Sequence, residues 1–152
     1  MKHASIKIIL AASIASLSAI ALQTAWADGH SSGGAAAERQ ALMKNVGAAT
    51  KVAAGMVKGE VAFELAAAQM AMATMNSAAL GFGYMFPEGS ETGAKTEASP
   101  KIWSDNEGFQ KLVAKFAADT SGKVTDLASL KEAFGAAASN CGTCHKAYRV
   151  KN

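Results

Sequence analysis

The chain has 152 residues, half of them hydrophobic, with 15 basic and 12 acidic side chains and a formal net charge of +3. Two of those basic residues, Lys2 and Lys7, fall in a leading segment built like a removable signal, which leaves 13 basic against 12 acidic residues beyond it. Cations this nearly balanced, spread without a run, exclude nucleic acid as a partner, and the length suits one domain with a core of its own.

Residues 1–7 carry the two lysines and no acid, 8–22 are an almost unbroken apolar run, and Ala25-Trp26-Ala27 follows. This order of charged region, apolar region and A-x-A site predicts a secretory signal peptide over 1–27, with a mature chain of 125 residues that starts at Asp28 in the periplasm. The run is short for a spanning helix and no later stretch is longer, so no membrane attachment is expected after cleavage. Residues 28–34, rich in glycine and serine, are expected to form a flexible leader to a domain over 35–152.

From 35 to 58, Leu42, Val46, Ala49, Ala53 and Met56 recur in steps of three and four, and Gly59 stands where a helix-ending glycine belongs. A second helix is predicted over 61–84 on the stripe Leu65, Met72, Met75, Ala79 and Phe82, its methionines serving as adaptable core filler. Both prolines and two glycines fall between 86 and 100, a long crossover. Ser104 or Asp105 caps a third helix with Phe109, Leu112, Val113 and Phe116 inward. Thr125 or Asp126 caps a fourth, whose stripe runs from Leu127 through Leu130, Phe134 and Ala137 to Cys141, Cys144, His145 and Tyr148. With no period-two segment, the expected fold is all-α, an antiparallel up-down four-helix bundle.

Cys141-Gly142-Thr143-Cys144-His145 carries the chemistry. C-x-x-C-H is the attachment signature of a c-type haem, with both thiols added across the vinyl groups and the histidine as an axial ligand of iron. On a helix, positions i, i+3 and i+4 share a face, so all three side chains can meet one flat macrocycle. A thioredoxin-like pair would need a βαβ context and a zinc site a second pair of ligands, and neither is visible. The expected cofactor is therefore one covalent haem c.

The chain resembles the class II c-type cytochromes, and within them cytochrome c', over the expected mature length. The residues that carry the resemblance are Arg39-Gln40 with Met43-Lys44, Met56-Val57-Lys58-Gly59-Glu60, Phe86-Pro87-Glu88-Gly89-Ser90, Ile102-Trp103-Ser104-Asp105, and 141–145 followed by Tyr148-Arg149. The resemblance implies that Arg39 and Gln40 meet the haem edge and propionates, that Met43 covers the distal side of the iron, and that Thr96 and Glu97 border the haem. It also raises a proximal role for Arg149, one helical turn beyond His145. Arg39, Met43 and Gly47 fall at i, i+4 and i+8, so one strip of the first helix can lie against the porphyrin.

Function turns on the sixth coordination position. His3 leaves with the signal and His30 lies in the leader, so Met43 is the remaining candidate ligand. If it only packs over the iron, the haem is five-coordinate and high-spin, cycles between Fe(III) and Fe(II) in electron transfer, and admits NO or CO. If its sulfur ligates, the protein is a low-spin carrier of electrons alone. No enzyme activity is expected, since peroxidase chemistry wants a distal acid and base, and haem addition would remove a thiol-disulfide exchanger. Redox proteins are the expected partners. The resemblance implies a homodimer through the first two helices, where Gly47, Ala53 and Gly55 would permit close packing.

Overall fold

The computed structural model describes residues 32–91 and 95–151, so the expected signal peptide, its cleavage site and His30 lie outside the described residues. Five helices follow one another: α1 (Ser32–Lys58), α2 (Leu65–Phe82), a single turn α3 (Lys101–Ser104), α4 (Asn106–Thr120) and α5 (Leu127–Tyr148). The four long ones pack α1 on α2, α2 on α4, α4 on α5 and α5 back on α1, which closes the up-down four-helix bundle.

Local chemistry sets most of the boundaries. α1 begins inside the segment read as leader, because Ala35 and Ala36 are already buried and glycines cost least in a first turn whose N–H groups have no helical acceptor. It ends in a Schellman motif, with Gly59 at φ 74°, Gly59 N–H on the Met56 carbonyl at 3.1 Å and Glu60 N–H on that of Gly55 at 2.9 Å. α2 starts four residues later than its pattern suggested, at the N-cap Glu64, whose carboxylate accepts Ala67 N–H at 2.8 Å. Asp105 both stops α3 and caps α4, accepting Gly108 N–H at 3.3 Å. Asp126 caps α5 in a reciprocal box with Ser129.

Two apolar clusters fill the bundle. One joins Val46, Ala53, Met56, Met72, Met75 and Leu130 across α1, α2 and α5, so the methionine stripe is core, as its period suggested. Leu65 is the exception, exposed at the first position of α2 while Ala68 one turn on is fully buried. The other cluster gathers Ile102, Phe109 and Tyr148 with Phe82, Phe86 and Trp103. Its rings meet edge to face: Phe86 on Phe109 at 4.9 Å, Phe82 on Phe86 at 5.0 Å and Phe109 on Tyr148 at 5.4 Å between centroids.

Two expectations need correction. Ala53 and Gly55 are buried within the bundle, where a Cβ on Gly55 would come 3.3 Å from Val61, so these small residues serve α1's own packing and not a contact between copies. Arg149 is not on the last helix. α5 stops at Tyr148 and Arg149 is extended at φ −118°, ψ 134°. There it bridges Ala98, with Ser99 N–H on the Tyr148 carbonyl at 3.0 Å and Val150 N–H on that of Glu97 at 2.9 Å. The crossover thus supplies backbone partners that draw the chain out of the helix.

Candidate haem site

A cavity of about 970 Å³ opens between the helices, and it brings together every site residue expected from the sequence. α5 contributes Cys141, Cys144 and His145; α1 contributes Arg39, Gln40, Met43 and Gly47; the crossover contributes Thr96 and Glu97; Arg149 closes the rim. The remaining wall is mainly apolar, from Phe82 on α2, Phe86 on the crossover, and Phe109, Leu112, Val113 and Phe116 on α4. Such a lining excludes water from a flat apolar ligand while leaving polar groups at its edge.

Neither cysteine is in a disulfide, and both are half buried. Burial pushes the Cys141 thiol up, and burial followed by the neighbouring Cys141 does the same to Cys144, so both hold their protons as thiols. His145 is pulled the other way. Burial, then the charge of Arg149, lowers its pKa, with Glu97 opposing, so the ring is held neutral with a lone pair to offer a metal. Arg149 therefore acts on the imidazole although it is no longer helical, and its guanidinium is ion-paired with Glu97 at the same rim.

A covalent haem can be tested against this geometry. Three attachment groups lie on one wall of a cavity of porphyrin scale, and facing them α1 presents Gly47, where an added Cβ would meet nothing within 4 Å. Among the described residues no cluster of three or more His, Cys, Asp or Glu could hold a metal ion directly. The donor set suits iron brought in by a macrocycle, with His145 the lining imidazole that could ligate it, and the fit is good.

Other arrangements were not legible in the sequence. Arg39 is buried, donating to the Ser90 hydroxyl at 2.9 Å, the Ser90 carbonyl at 2.9 Å and the Met85 carbonyl at 3.1 Å. Its guanidinium also lies 4.8 Å from the Phe86 ring centre and 5.8 Å from that of Trp103. Gln40 donates to the Lys95 carbonyl at 2.6 Å. Asn140, buried beside Cys141, donates to Asp119 and so fixes the attachment turn of α5 to α4. For Arg39 and Gln40 the prior signal was their place in shared motifs, which says nothing of partners, and Asn140 had none.

Fold and site together define a c-type haem protein built on a four-helix bundle. The family model described as Cytochrome C' matches residues 34–149, and the chain belongs to the cytochrome c' family. It is 41% identical over 118 residues to a cytochrome c' of Rhodopseudomonas palustris, covering 76% of this chain and 81% of that one. It is 36% identical over 118 residues to a cytochrome c-556 of Agrobacterium fabrum, covering 75% and 80%. The solved structure of cytochrome c' from Rhodopseudomonas palustris superposes with a TM-score of 0.73 at 40% identity, covering 78% of this chain and 97% of that one. The chain is accordingly a haem electron carrier with one covalent haem c.

Proposed function

We propose that this cytochrome works in the periplasm as a five-coordinate, high-spin carrier that also takes up NO or CO. Bound haem supplies a one-electron Fe(III)/Fe(II) couple and a sixth position open to a small neutral ligand. Cys141 and Cys144 hold the macrocycle against α5, and His145 gives a neutral nitrogen to the iron on that side. Met43 roofs the other side.

The observation that carries the reading is the wall from α1 and α2, where Met43, Val46, Gly47, Ala78 and Ala79 stand among lining residues that include no imidazole and no carboxylate. Met43 is half buried and packs against the main core cluster, so its side chain is engaged by neighbours of its own. The same wall offers no acid and base pair for peroxide, which supports a carrier and not an enzyme. Ferric and ferrous absorption and EPR spectra, with and without CO, test it. High-spin spectra with CO uptake on reduction are expected; a low-spin spectrum that becomes high-spin in Met43→Ala would make the protein a six-coordinate electron carrier alone.

A homodimer through the first two helices belongs to the same reading. α2 has no charged residue in its 18, and Ala66, Met70, Ala73, Ser77 and Leu80, followed by Tyr84 in the turn just past its end, are exposed at steps of four and three. Met70, Leu80 and Tyr84 expose 70%, 64% and 89% of their surface, an apolar stripe without the charges that keep a helix monomeric.

A further inference from the structure

The cavity rim carries more positive charge than its own contacts use. Lys44 on α1 and Lys95 on the crossover both line it, both are exposed, and neither has an ion-pair partner among the described residues. The other cations there are engaged: Arg149 pairs with Glu97, and Arg39 donates three of its five N–H groups to Met85 and Ser90. The Gln40 amide, bonded to the Lys95 carbonyl at 2.6 Å, ties Lys95 alongside α1 one turn before Lys44.

The geometry points to Lys44 and Lys95 as cations that receive the two haem propionates, beside an Arg39 whose three bonds to Met85 and Ser90 fix its position and leave two N–H groups. The propionates of a c-type haem leave the macrocycle from the edge opposite its two thioether links. With Cys141 and Cys144 holding the linked edge to α5, the lining cations left for the carboxylates would be those of α1 and the crossover. Glu97 is the one carboxylate among the described lining residues, and Arg149 neutralises it, so an arriving propionate meets no uncompensated acid. A lysine ammonium on a flexible stem suits a carboxylate that stays partly in water, whereas the Arg39 fork is fixed by three acceptors that are themselves structural. This assignment depends on the covalent haem and not on the coordination state of the iron, so it survives a six-coordinate outcome of the spectra above.

Resonance Raman spectra of the ferrous holoprotein test it, because the propionate bending modes respond to donors on the carboxylates. Lys44→Gln with Lys95→Gln is expected to shift both bending modes down, one per single variant, and to make the midpoint potential more negative and less sensitive to salt. Lys51→Gln, an exposed lysine of α1 outside the cavity lining, is expected to leave the modes unmoved. Bending modes unchanged in the double variant overturn the assignment, as does a shift of equal size in Lys51→Gln. So does an Arg39→Lys protein in which the modes move while the double variant keeps its native frequencies.

Discussion

The Tyr148 hydroxyl, three residues beyond His145, donates to the Asp105 carboxylate at 2.8 Å, joining the end of α5 to the cap of α4. Burial first, then this hydrogen bond and the charge of Asp105, push the Tyr148 pKa up to about 12. In the same contact Asp105 is held below the usual carboxylate range, with the tyrosine hydrogen bond the largest cause.

A pH dependence follows. A phenol raised above its unfolded value near 10 keeps its proton longer in the folded chain, so its stabilising contribution is complete below about pH 10 and is lost as pH climbs through about 12. Thermal unfolding followed between pH 9 and 12 is expected to show a falling Tm that is much shallower in Tyr148→Phe. The chain has two tyrosines, so in Tyr84→Phe the ultraviolet phenolate signal belongs to Tyr148 and should rise near pH 12.

Gly108 stands directly under this contact. A Cβ there would lie 2.5 Å from the Tyr148 hydroxyl and 2.7 and 2.8 Å from the two Asp105 oxygens. Gly108→Ala must displace them, and the expected loss is about 2 kcal/mol in chemical denaturation, more than offsetting alanine's better helix propensity. In a Tyr148→Phe background the added methyl meets one obstacle fewer. The loss should shrink there, and two additive substitutions would mean that the hydroxyl and the methyl do not compete.

How much of this was legible in the chain depends on the range of the interaction that decides it. The attachment run at 141–145, the helix-ending Gly59 and the caps Asp105 and Asp126 each act within one turn, and the sequence marks the first two directly and each cap to one of two neighbours. The end of α5 is decided by the 95–100 segment, about 50 residues away, whose carbonyl at Glu97 captures Val150 and pulls Arg149 out of helical register. The partners of Arg39 are likewise 46 and 51 positions distant, and no local pattern announces them. Ala53 and Gly55 follow a third course: small residues permit close approach to any neighbour, and only the packed bundle says that the neighbour is internal.

Arg39 is expected to matter for stability before it matters for the haem. Its removal leaves Ser90, itself 2% exposed, without the donor for its carbonyl, and uncovers the faces of Phe86 and Trp103. Arg39→Ala should cost about 3 kcal/mol in urea unfolding of the holoprotein. Arg39→Lys should recover less than half of that, because an ammonium cannot reach both Ser90 acceptors as a fork does.

The uncharged face of α2 offers a direct handle on assembly. Met70→Glu with Leu80→Glu sets like charges on both copies of a self-complementary contact, where each would be buried beside its partner. Sedimentation of the native protein is expected to give the mass of two chains and that of the variant the mass of one, with unchanged helicity. A native protein that sediments as a single chain would leave the exposed stripe without a second copy to cover it.

Gly47 separates the demands of the helix from those of the ligand. It is exposed on α1 and faces the cavity with open space before it, so the absence of a side chain costs the helix about 1 kcal/mol relative to alanine and leaves that side of the cavity clear. Gly47→Ala is expected to raise Tm slightly while weakening CO binding to the ferrous protein by a few-fold, and Gly47→Leu to weaken it by ten-fold or more at nearly the same Tm. Photolysis and rebinding of CO measure this directly. Equal CO affinities across the three proteins would remove Gly47 from the distal wall and leave Met43 as the residue from α1 that governs access.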